Sequence, residues 1–264
     1  MINLLRGRAL LKIFGPDSAK FLQSQFSNDI NNIEEKRVQI NAYCQHQGKI
    51  IAIIWVFKKE NFFYLSFPNN LKEVVLSRLK MFKLMSQVEI EDYSENFNQY
   101  GVVGENSDNS FIIKDNLSLI ITDKKISNSN HESEWEYACI NAKLPEVHAS
   151  YSESFIPQAL NLDLNHFGVS FTKGCYPGQE VVARMHYLGK PKRRLYRFHS
   201  NFRVVIGDTL DVENSKSLNS SGKVIRVAEK DDRYHFLATF EVSQTQNKVF
   251  LNSDKDKLVK IIDE

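Results

Sequence analysis

The longest apolar run in this chain of 264 residues covers residues 50–57 and is only eight residues long. This length suits one buried β-strand and is far below the roughly 20 apolar residues of a membrane-spanning helix. Gln47 and Gly48 directly precede the run, and glycine at such a point is typical of a tight turn. Residues 38–45 and 49–57 are therefore predicted to pair as a hairpin, and the core must be built from short elements.

Other short elements of both kinds surround this hairpin. Pro16, Asp17 and Ser18 indicate a helix start, because such residues favour the first turn of a helix. A second helix is predicted after Pro68, and a third over residues 135–143, ending before Pro145. Further strands are predicted at residues 9–14, 62–67, 88–93, 100–103, 111–113 and 117–121. Strands and helices alternate without the long spacing of a parallel sheet, so the fold class is predicted to be α+β with antiparallel sheets.

The pattern changes in the last third of the chain, where only short strands are predicted. They cover residues 195–199, 204–210, 224–228, 235–242 and 258–262, and they indicate a small β-barrel at the carboxyl end. The expected domains are residues 1–95, a second and shortened α/β subdomain at 96–190, and the barrel at 191–264.

Charge and cysteine content narrow the functional classes. The formal net charge is only +2, so nucleic-acid binding would have to rest on local clusters of cations. Cys44, Cys139 and Cys175 are an odd number with no close pair, which argues against a disulfide framework and against a self-contained metal site. The amino-terminal apolar run is broken by Lys12 and Pro16. We therefore expect neither a signal peptide nor a membrane partner, and a cytoplasmic location.

Residues 173–180, with the sequence KGCYPGQE, are the strongest candidate for a functional loop. Two glycines flank Cys175, which indicates a tight loop that presents one thiol. Lys173 and, at some distance, Arg184 could stabilise a thiolate there, because a nearby positive charge favours the charged form. The alternative is a turn that carries an inert cysteine. The candidate residues in this motif are Lys173, Gly174, Cys175, Tyr176, Gly178, Gln179, Glu180 and Arg184, of which Gln179 and Glu180 are expected to bind the loop backbone.

The amino-acid sequence of this region resembles that of a known family. The runs FIPQ at 155–158, LNL at 160–162 and GVSF at 168–171 precede the KGCYPGQE motif, and together they are similar to the signature of the YgfZ family. These proteins are folate-binding relatives of the glycine cleavage T-protein. Gly15 and the segments 21–23, 28–29 and 47–49 fall in the family's order as well, so the resemblance covers most of the chain.

The resemblance implies a T-protein-like folate-binding fold, with tetrahydrofolate or a derivative bound by an amino-terminal subdomain. It also implies support for iron–sulfur cluster assembly or repair and for cluster-dependent tRNA modification, with tRNA-thiolating enzymes among the partners and Cys175 as the functional thiol. Trp135 falls where the family carries an aromatic residue implicated in folate binding, although a tryptophan there could equally fill the core. The family's second aromatic residue corresponds to Arg8, which could stack on the folate ring or pair with a glutamyl carboxylate.

Two other functions remain open. The first is a folate-dependent one-carbon transferase of the aminomethyl type, but the acidic pair that the T-protein uses corresponds to Ala52 and Ile53, and apolar side chains cannot move a proton. An accessory role therefore fits better than an enzyme. The second is a tRNA-binding adaptor, because residues 173–203 hold eight Lys or Arg against one acid, Glu180.

Overall fold

The computed structural model describes residues 1–105, 107–127, 129–213 and 220–262. Within these residues the strands are β1 (Ile2–Leu4), β2 (Arg8–Phe14), β3 (Gln39–Cys44), β4 (Ile50–Lys59), β5 (Phe62–Pro68), β6 (Glu89–Asp92), β7 (Asn98–Val103), β8 (Ser110–Lys114), β9 (Leu117–Thr122), β10 (Arg193–Ser200), β11 (Thr209–Val212), β12 (Gly222–Lys230), β13 (Arg233–Glu241), β14 (Val249–Leu251) and β15 (Asp254–Ile261). The α-helices are α1 (Ser18–Gln25), α2 (Lys72–Phe82), α3 (Glu132–Asn141) and α4 (Gln179–Leu188). Short 3-10 helices cover Ile30–Asn32, Asn69–Leu71, Lys83–Met85, Ala149–Tyr151, Pro157–Leu160, Leu164–His166 and Val242–Gln244.

The first sheet has the strand order β3-β4-β5-β2-β6, with antiparallel pairs throughout. The predicted hairpin is confirmed, with Ala42 opposite Ile53. Both faces of β4 are buried: Ile53 and Trp55 face one core cluster, whereas Ala52 and Ile54 face the cluster that includes the apolar residues of α1 and α2. A strand buried on both faces reads as a continuous apolar run, which explains residues 50–57.

The second sheet has the order β1-β7-β9-β8. Its edge strand β1 comes from the amino terminus and pairs antiparallel with β7, with Asn3 opposite Gly101. The chain then crosses from this sheet into β2 of the first sheet. The division at residue 95 stays a prediction, and the β1–β7 pair lies across it.

The six strands from β10 to β15 form a closed barrel in the order β10-β13-β12-β11-β14-β15, so the predicted barrel is confirmed. Residues 214–219 and 263–264 of the predicted barrel domain lie outside the described residues. Strands β1 and β14 and helix α4 were not predicted. Three residues are too few to show periodicity, and the predicted loop at 173–180 includes Gln179 and Glu180, which begin α4.

One core cluster joins all three parts of the molecule. It contains Trp55 from the first sheet, Leu119 from the second, Trp135 from α3, and Ile225 and Leu237 from the barrel. Helix α3 packs against β7 and β12, between the second sheet and the barrel. In the part of the chain that the structure describes, no helix is both long and apolar enough to cross a membrane.

Candidate functional site

A cavity of about 270 Å³ lies where the amino-terminal segment, the first sheet, α3 and the barrel meet. We call it the arginine cavity. Arg8 and Trp135, which are far apart in the sequence, both line it, together with Trp55. Its other lining residues include Asn3, Arg6, Pro68, Asn130, Glu132, Glu136, Glu146, His148, Ile206 and Arg226. The structure therefore brings together the two residues that the family resemblance associates with folate.

Two arginines and two glutamates form a buried network in this cavity. Arg226 binds Glu136 through Nη1 at 3.0 Å and Glu146 through Nη2 at 3.3 Å. The other oxygen of Glu146 pairs with Nη1 of Arg8. The side chains of Arg8 and Arg226 are only 7% and 3% exposed, so these charges are shielded from water and depend on one another. Glu146 is the centre of the network.

The two carboxylates have pKa values shifted in opposite directions. Burial would raise the pKa of Glu146, but the charges of Arg8 and Arg226 outweigh it and hold that pKa below its ordinary value. Burial raises the pKa of Glu136, and the single pairing with Arg226 only partly offsets it. Although burial opposes it, the pKa of Arg226 is raised by its two glutamates. Glu146 is thus a fixed anion, while Glu136 accepts a proton more readily.

Three buried donors in the cavity have no hydrogen-bond partner among the described residues: Nη2 of Arg8, Nε1 of Trp55 and Nε of Arg226. The guanidinium of Arg8 stacks on the Trp55 ring, 3.8 Å from its centroid. Its Nε donates to Ser66 Oγ at 2.9 Å, which fixes the plane of the guanidinium. An unpaired buried donor costs about 1 to 3 kcal/mol, so these groups suit a ligand that brings acceptor atoms.

Trp135 contributes both to the core and to the cavity wall. It lies in the first turns of α3 and is 3% exposed. A Cβ atom at Gly101 would lie 2.5 Å from the Trp135 ring, so the glycine allows β7 to approach the indole closely. The alternative that Trp135 fills the core and the alternative that it lines a pocket are therefore compatible, and its role in binding stays a prediction.

Sequence reasoning missed Trp55, Glu136, Glu146 and Arg226. Local features of the sequence could have indicated two of them, Arg226 and Glu146. Arg226 is a lone charge inside the apolar strand sequence VIRVA at 224–228, and Glu146 is a lone charge in the sequence LPEV at 144–147. A charged side chain in such a run is rarely buried unless it is paired, but the sequence does not say with what.

Ala52 and Ile53, at the positions of the T-protein's acidic pair, are both buried in β4. Ile53 packs in the same cluster as Trp55 and Trp135. The two side chains contribute apolar surface only, so neither position can exchange a proton.

The second candidate centre is the loop before α4. Cys175 is exposed, whereas Cys44 and Cys139 are buried. Burial raises the pKa of the Cys44 thiol to about 12 and also raises that of Cys139. Because the thiolate is the reactive form, the two buried thiols are inert. Cys175 is accessible to a partner.

Glycine is required at only one of the two positions that flank this thiol. Gly178 has φ +82°, and a Cβ atom there would lie 2.5 Å from the Gln45 carbonyl oxygen and 2.6 Å from Gly48 Cα. The turn between β3 and β4 therefore packs directly on the start of α4. Gly174 does not have a positive φ, and a Cβ atom there would meet no atom within 4 Å, so the structure places no such requirement on it.

Lys173 anchors the loop to the carboxyl end of α1. Its Nζ donates to the carbonyl oxygens of Gln23 and Phe26, each at 2.5 Å, and of Asn28 at 3.2 Å. Burial lowers the pKa of Lys173 to about 8. The carbonyls at a helix end lack partners within the helix, and a cation stabilises them. The ammonium group is bound to these oxygens, so its contribution to the reactivity of Cys175 stays a prediction.

The remaining motif residues surround this anchor. Nε2 of Gln179 donates to the backbone oxygen of Lys173 at 3.5 Å, which is the kind of bond expected of this side chain. Tyr176 is buried, and its pKa is raised by burial. Glu180 and Arg184 lie exposed on α4. The motif therefore combines an anchored interior with one exposed thiol.

The overall architecture matches a solved structure. The glycine cleavage system aminomethyltransferase T from Bartonella henselae superposes with a TM-score of 0.74 over 100% of this chain and 84% of that chain, at 12% sequence identity. At this identity the likeness concerns the fold alone. The chain is thus a protein of the glycine cleavage T-protein fold, which confirms the predicted fold class.

Sequence comparison identifies the group within this fold. An uncharacterized protein from Haemophilus influenzae is 30% identical over 235 residues, covering 84% of this chain and 82% of that relative. The tRNA-modifying protein YgfZ of Klebsiella pneumoniae is 29% identical, covering 85% and 80% of the two chains. The same protein of Colwellia psychrerythraea is 27% identical, covering 84% and 79%. No family model matches the chain. The chain belongs to the YgfZ family.

Proposed function

We propose that this protein binds tetrahydrofolate or a derivative in the arginine cavity and acts as an accessory factor in tRNA modification. The observation that carries the proposal is the pair of tryptophans beside three buried donors without partners. Two relatives are named tRNA-modifying proteins, which agrees with this role. The folate-binding character that the family resemblance implies agrees with the proposed ligand.

The residues of the cavity suit the chemistry of a reduced pterin. Its flat ring needs an apolar or aromatic wall, which Trp55 and Trp135 offer. Its ring nitrogens donate hydrogen bonds that the carboxylate of Glu146 can accept, and its carbonyl can accept from Arg8. The glutamyl tail of folate requires a cation, and Arg6 lies in the cavity lining. When bound, the folate would supply a site for one-carbon chemistry.

We propose that Cys175 is the functional thiol. Its exposure supports a transient role in handling sulfur or iron for iron–sulfur enzymes, including those that thiolate tRNA. The anchoring of Lys173 and Gln179 supports a loop that keeps one geometry while its thiol meets a partner. A cytoplasmic location, where thiols stay reduced, fits this role.

The alternative of an aminomethyl-type transferase is disfavoured by the buried, apolar Ala52 and Ile53. The carboxylates that do line the cavity are Glu132, Glu136 and Glu146. Glu146 is held as an anion between two arginines, so it is a poor general acid or base, and Glu136, whose pKa is raised by burial, is itself bound to Arg226. Binding without transfer is the function that this site supports best.

Folate binding can be measured by the quenching of intrinsic fluorescence. Because Trp55 and Trp135 both line the cavity, tetrahydrofolate should quench the emission of both. The Trp135→Ala variant should weaken binding by about 1 to 3 kcal/mol through lost aromatic burial. Phe202→Ala, which changes an exposed aromatic residue on the barrel, is the control and should keep full affinity. Unchanged affinity in Trp135→Ala would show that this side chain packs in the core and does not contribute to folate binding.

The role of the thiol can be tested in a strain that lacks the gene. Cys175→Ala should fold normally, because this side chain is exposed, but it should not restore cluster-dependent tRNA thiolation. The wild-type chain should restore it. A Cys175→Ala protein that unfolds would show that the residue packs, and one that complements fully would show that the thiol is dispensable.

A further inference from the structure

A second cavity lies at the carboxyl end of α4 and has a volume of about 510 Å³. Its lining contains the apolar side chains of Phe155, Ile156 and Met185. Lys190 and Lys192 also line it, as do Ser154, Ala159, Pro191, Arg193 and Glu241. Pockets for small ligands and single nucleotides fall in this range of volumes. We call it the α4 pocket, and neither the folate proposal nor the thiol proposal uses it.

The charge around the α4 pocket is positive. Arg193 pairs with Glu241 at 3.3 Å and donates to the backbone oxygen of Ser220 at 2.6 Å, so these two charges offset each other. Lys190 and Lys192 are exposed and form no ion pair with a carboxylate of the described chain. Two cations therefore remain available beside an apolar wall, which suits a ligand with both a hydrophobic and an anionic part.

A cluster of stacked rings lies on the same end of α4. His186 stacks on Phe171 with centroids 3.7 Å apart and planes 15° apart. Tyr187 meets both rings edge-on, at 6.1 Å from Phe171 and 4.9 Å from His186. Tyr187 is 66% exposed. Its ring is held in place by its neighbours and still presents a free face, which is what a stacking partner needs.

We propose that the α4 pocket and Tyr187 bind an unpaired segment of a nucleic-acid strand. One base enters the pocket against Met185, a second base farther along the strand stacks on Tyr187 at another side of the helix end, and phosphates between them bind Lys190 and Lys192. Base stacking on aromatic rings beside a basic track is the usual mode of single-strand binding. An acidic peptide would use the lysines but would leave the ring and the apolar wall without a partner. The proposal does not depend on folate as the ligand of the arginine cavity.

The proposal is tested by fluorescence anisotropy with a short labelled oligonucleotide of mixed sequence, as single-stranded RNA, as single-stranded DNA and as a duplex. The wild-type chain should bind the single strands more tightly than the duplex. Tyr187→Ala should weaken single-strand binding by roughly five- to a hundredfold, the range for loss of one stacked base. The double variant Lys190→Glu with Lys192→Glu should weaken it by at least about tenfold and should lower the salt dependence by about two charges.

Matched controls use exposed residues that lie on other elements and do not line the α4 pocket. Phe202→Ala controls for loss of an exposed ring, and Lys20→Glu with Lys80→Glu controls for the same change in net charge. Both should bind like the wild type. Equal losses in the control and the test variants would show non-specific attraction and overturn the proposal. A preference for the duplex, or competition by polyglutamate with no effect of Tyr187→Ala, would overturn it too.

A measurement of folate binding distinguishes the nucleic-acid site at α4 from the folate site in the arginine cavity. All the α4 variants should keep the tetrahydrofolate quenching of the wild type, because the changed residues do not line the arginine cavity. Loss of oligonucleotide binding with normal quenching would confirm a separate nucleic-acid site. Normal quenching in a wild-type chain that binds no oligonucleotide would refute this site and leave the folate proposal intact.

Discussion

Replacing Glu146 by glutamine removes the charge at the centre of the buried network. The carboxylate binds both Arg8 and Arg226, and glutamine keeps its size while removing the charge. The amide can still accept from one arginine, but its NH2 group faces the donors of the other. Arg8 then has no carboxylate partner among the described residues, whereas Arg226 keeps Glu136 at 3.0 Å.

The loss should be about 3 kcal/mol in the free energy of unfolding. Two charge-assisted hydrogen bonds are weakened, each worth about 1.5 kcal/mol or more. The same figure is the lower end of the 3 to 5 kcal/mol that breaking a buried ion pair costs. The retained partner of Arg226 argues for this lower end. With a denaturant slope of roughly 3 kcal/mol per molar, the urea midpoint should fall by about 1 M.

Urea unfolding followed by tryptophan fluorescence measures this directly. The pH dependence supplies a second readout with a definite sign. The pKa of Glu146 in the folded chain lies below its ordinary value of 4.5, so the unfolded chain takes up the proton first as the pH falls. The carboxylate thus stabilises the fold above pH 4.5, and this stabilisation is lost as the pH falls toward the folded pKa. The difference between wild type and Glu146→Gln should therefore shrink as the pH falls below the ordinary glutamate pKa of 4.5.

Glu132→Gln is the matched control, because Glu132 also lines the arginine cavity but is exposed. Its effect should stay within about 0.5 kcal/mol. If Glu146→Gln is no more destabilising than Glu132→Gln, or if its effect does not change with pH, then Glu146 does not carry the charge network and the description of this cavity is wrong.

Two further predictions concern the loop before α4. Gly178→Ala should destabilise the fold by about 2 kcal/mol or more, because alanine disfavours a positive φ and its Cβ would meet backbone atoms. Gly174→Ala is the control: a Cβ there meets no atom within 4 Å, so thermal stability should change by less than about 0.5 kcal/mol. Equal effects of the two substitutions would contradict the packing of Gly178 against the β3–β4 turn. Alkylation near neutral pH, followed by mass spectrometry of the folded protein, should modify Cys175 well before the buried Cys44 and Cys139, and modification of all three at one rate would refute the exposure assigned to Cys175.

Much of the fold could be predicted because its signals are local. The hairpin of β3 and β4 follows from an apolar run and a glycine turn, and α1 follows from its start residues. The barrel follows from short strands separated by turns. Helix α3 begins and ends two or three residues before its predicted limits, and such shifts are normal where propensity alone sets the boundary. Strand β14 is too short for any periodicity to show it.

The candidate sites also combine features that local sequence predicts with features that only the tertiary packing creates. The sequence alone predicted a loop around Cys175 that presents its thiol, because glycines and the residues beside the cysteine act locally. In the structure Cys175 is exposed, and the loop ends at Gly178, since α4 begins with Gln179. Only the tertiary structure decided that Lys173 binds carbonyls about 150 positions away, and that Arg8, Glu146 and Arg226 meet in one cavity. Ion pairs between distant positions leave no periodic trace in a sequence. They are decided when the sheets, α3 and the barrel pack together and exclude the water that would otherwise separate the charges.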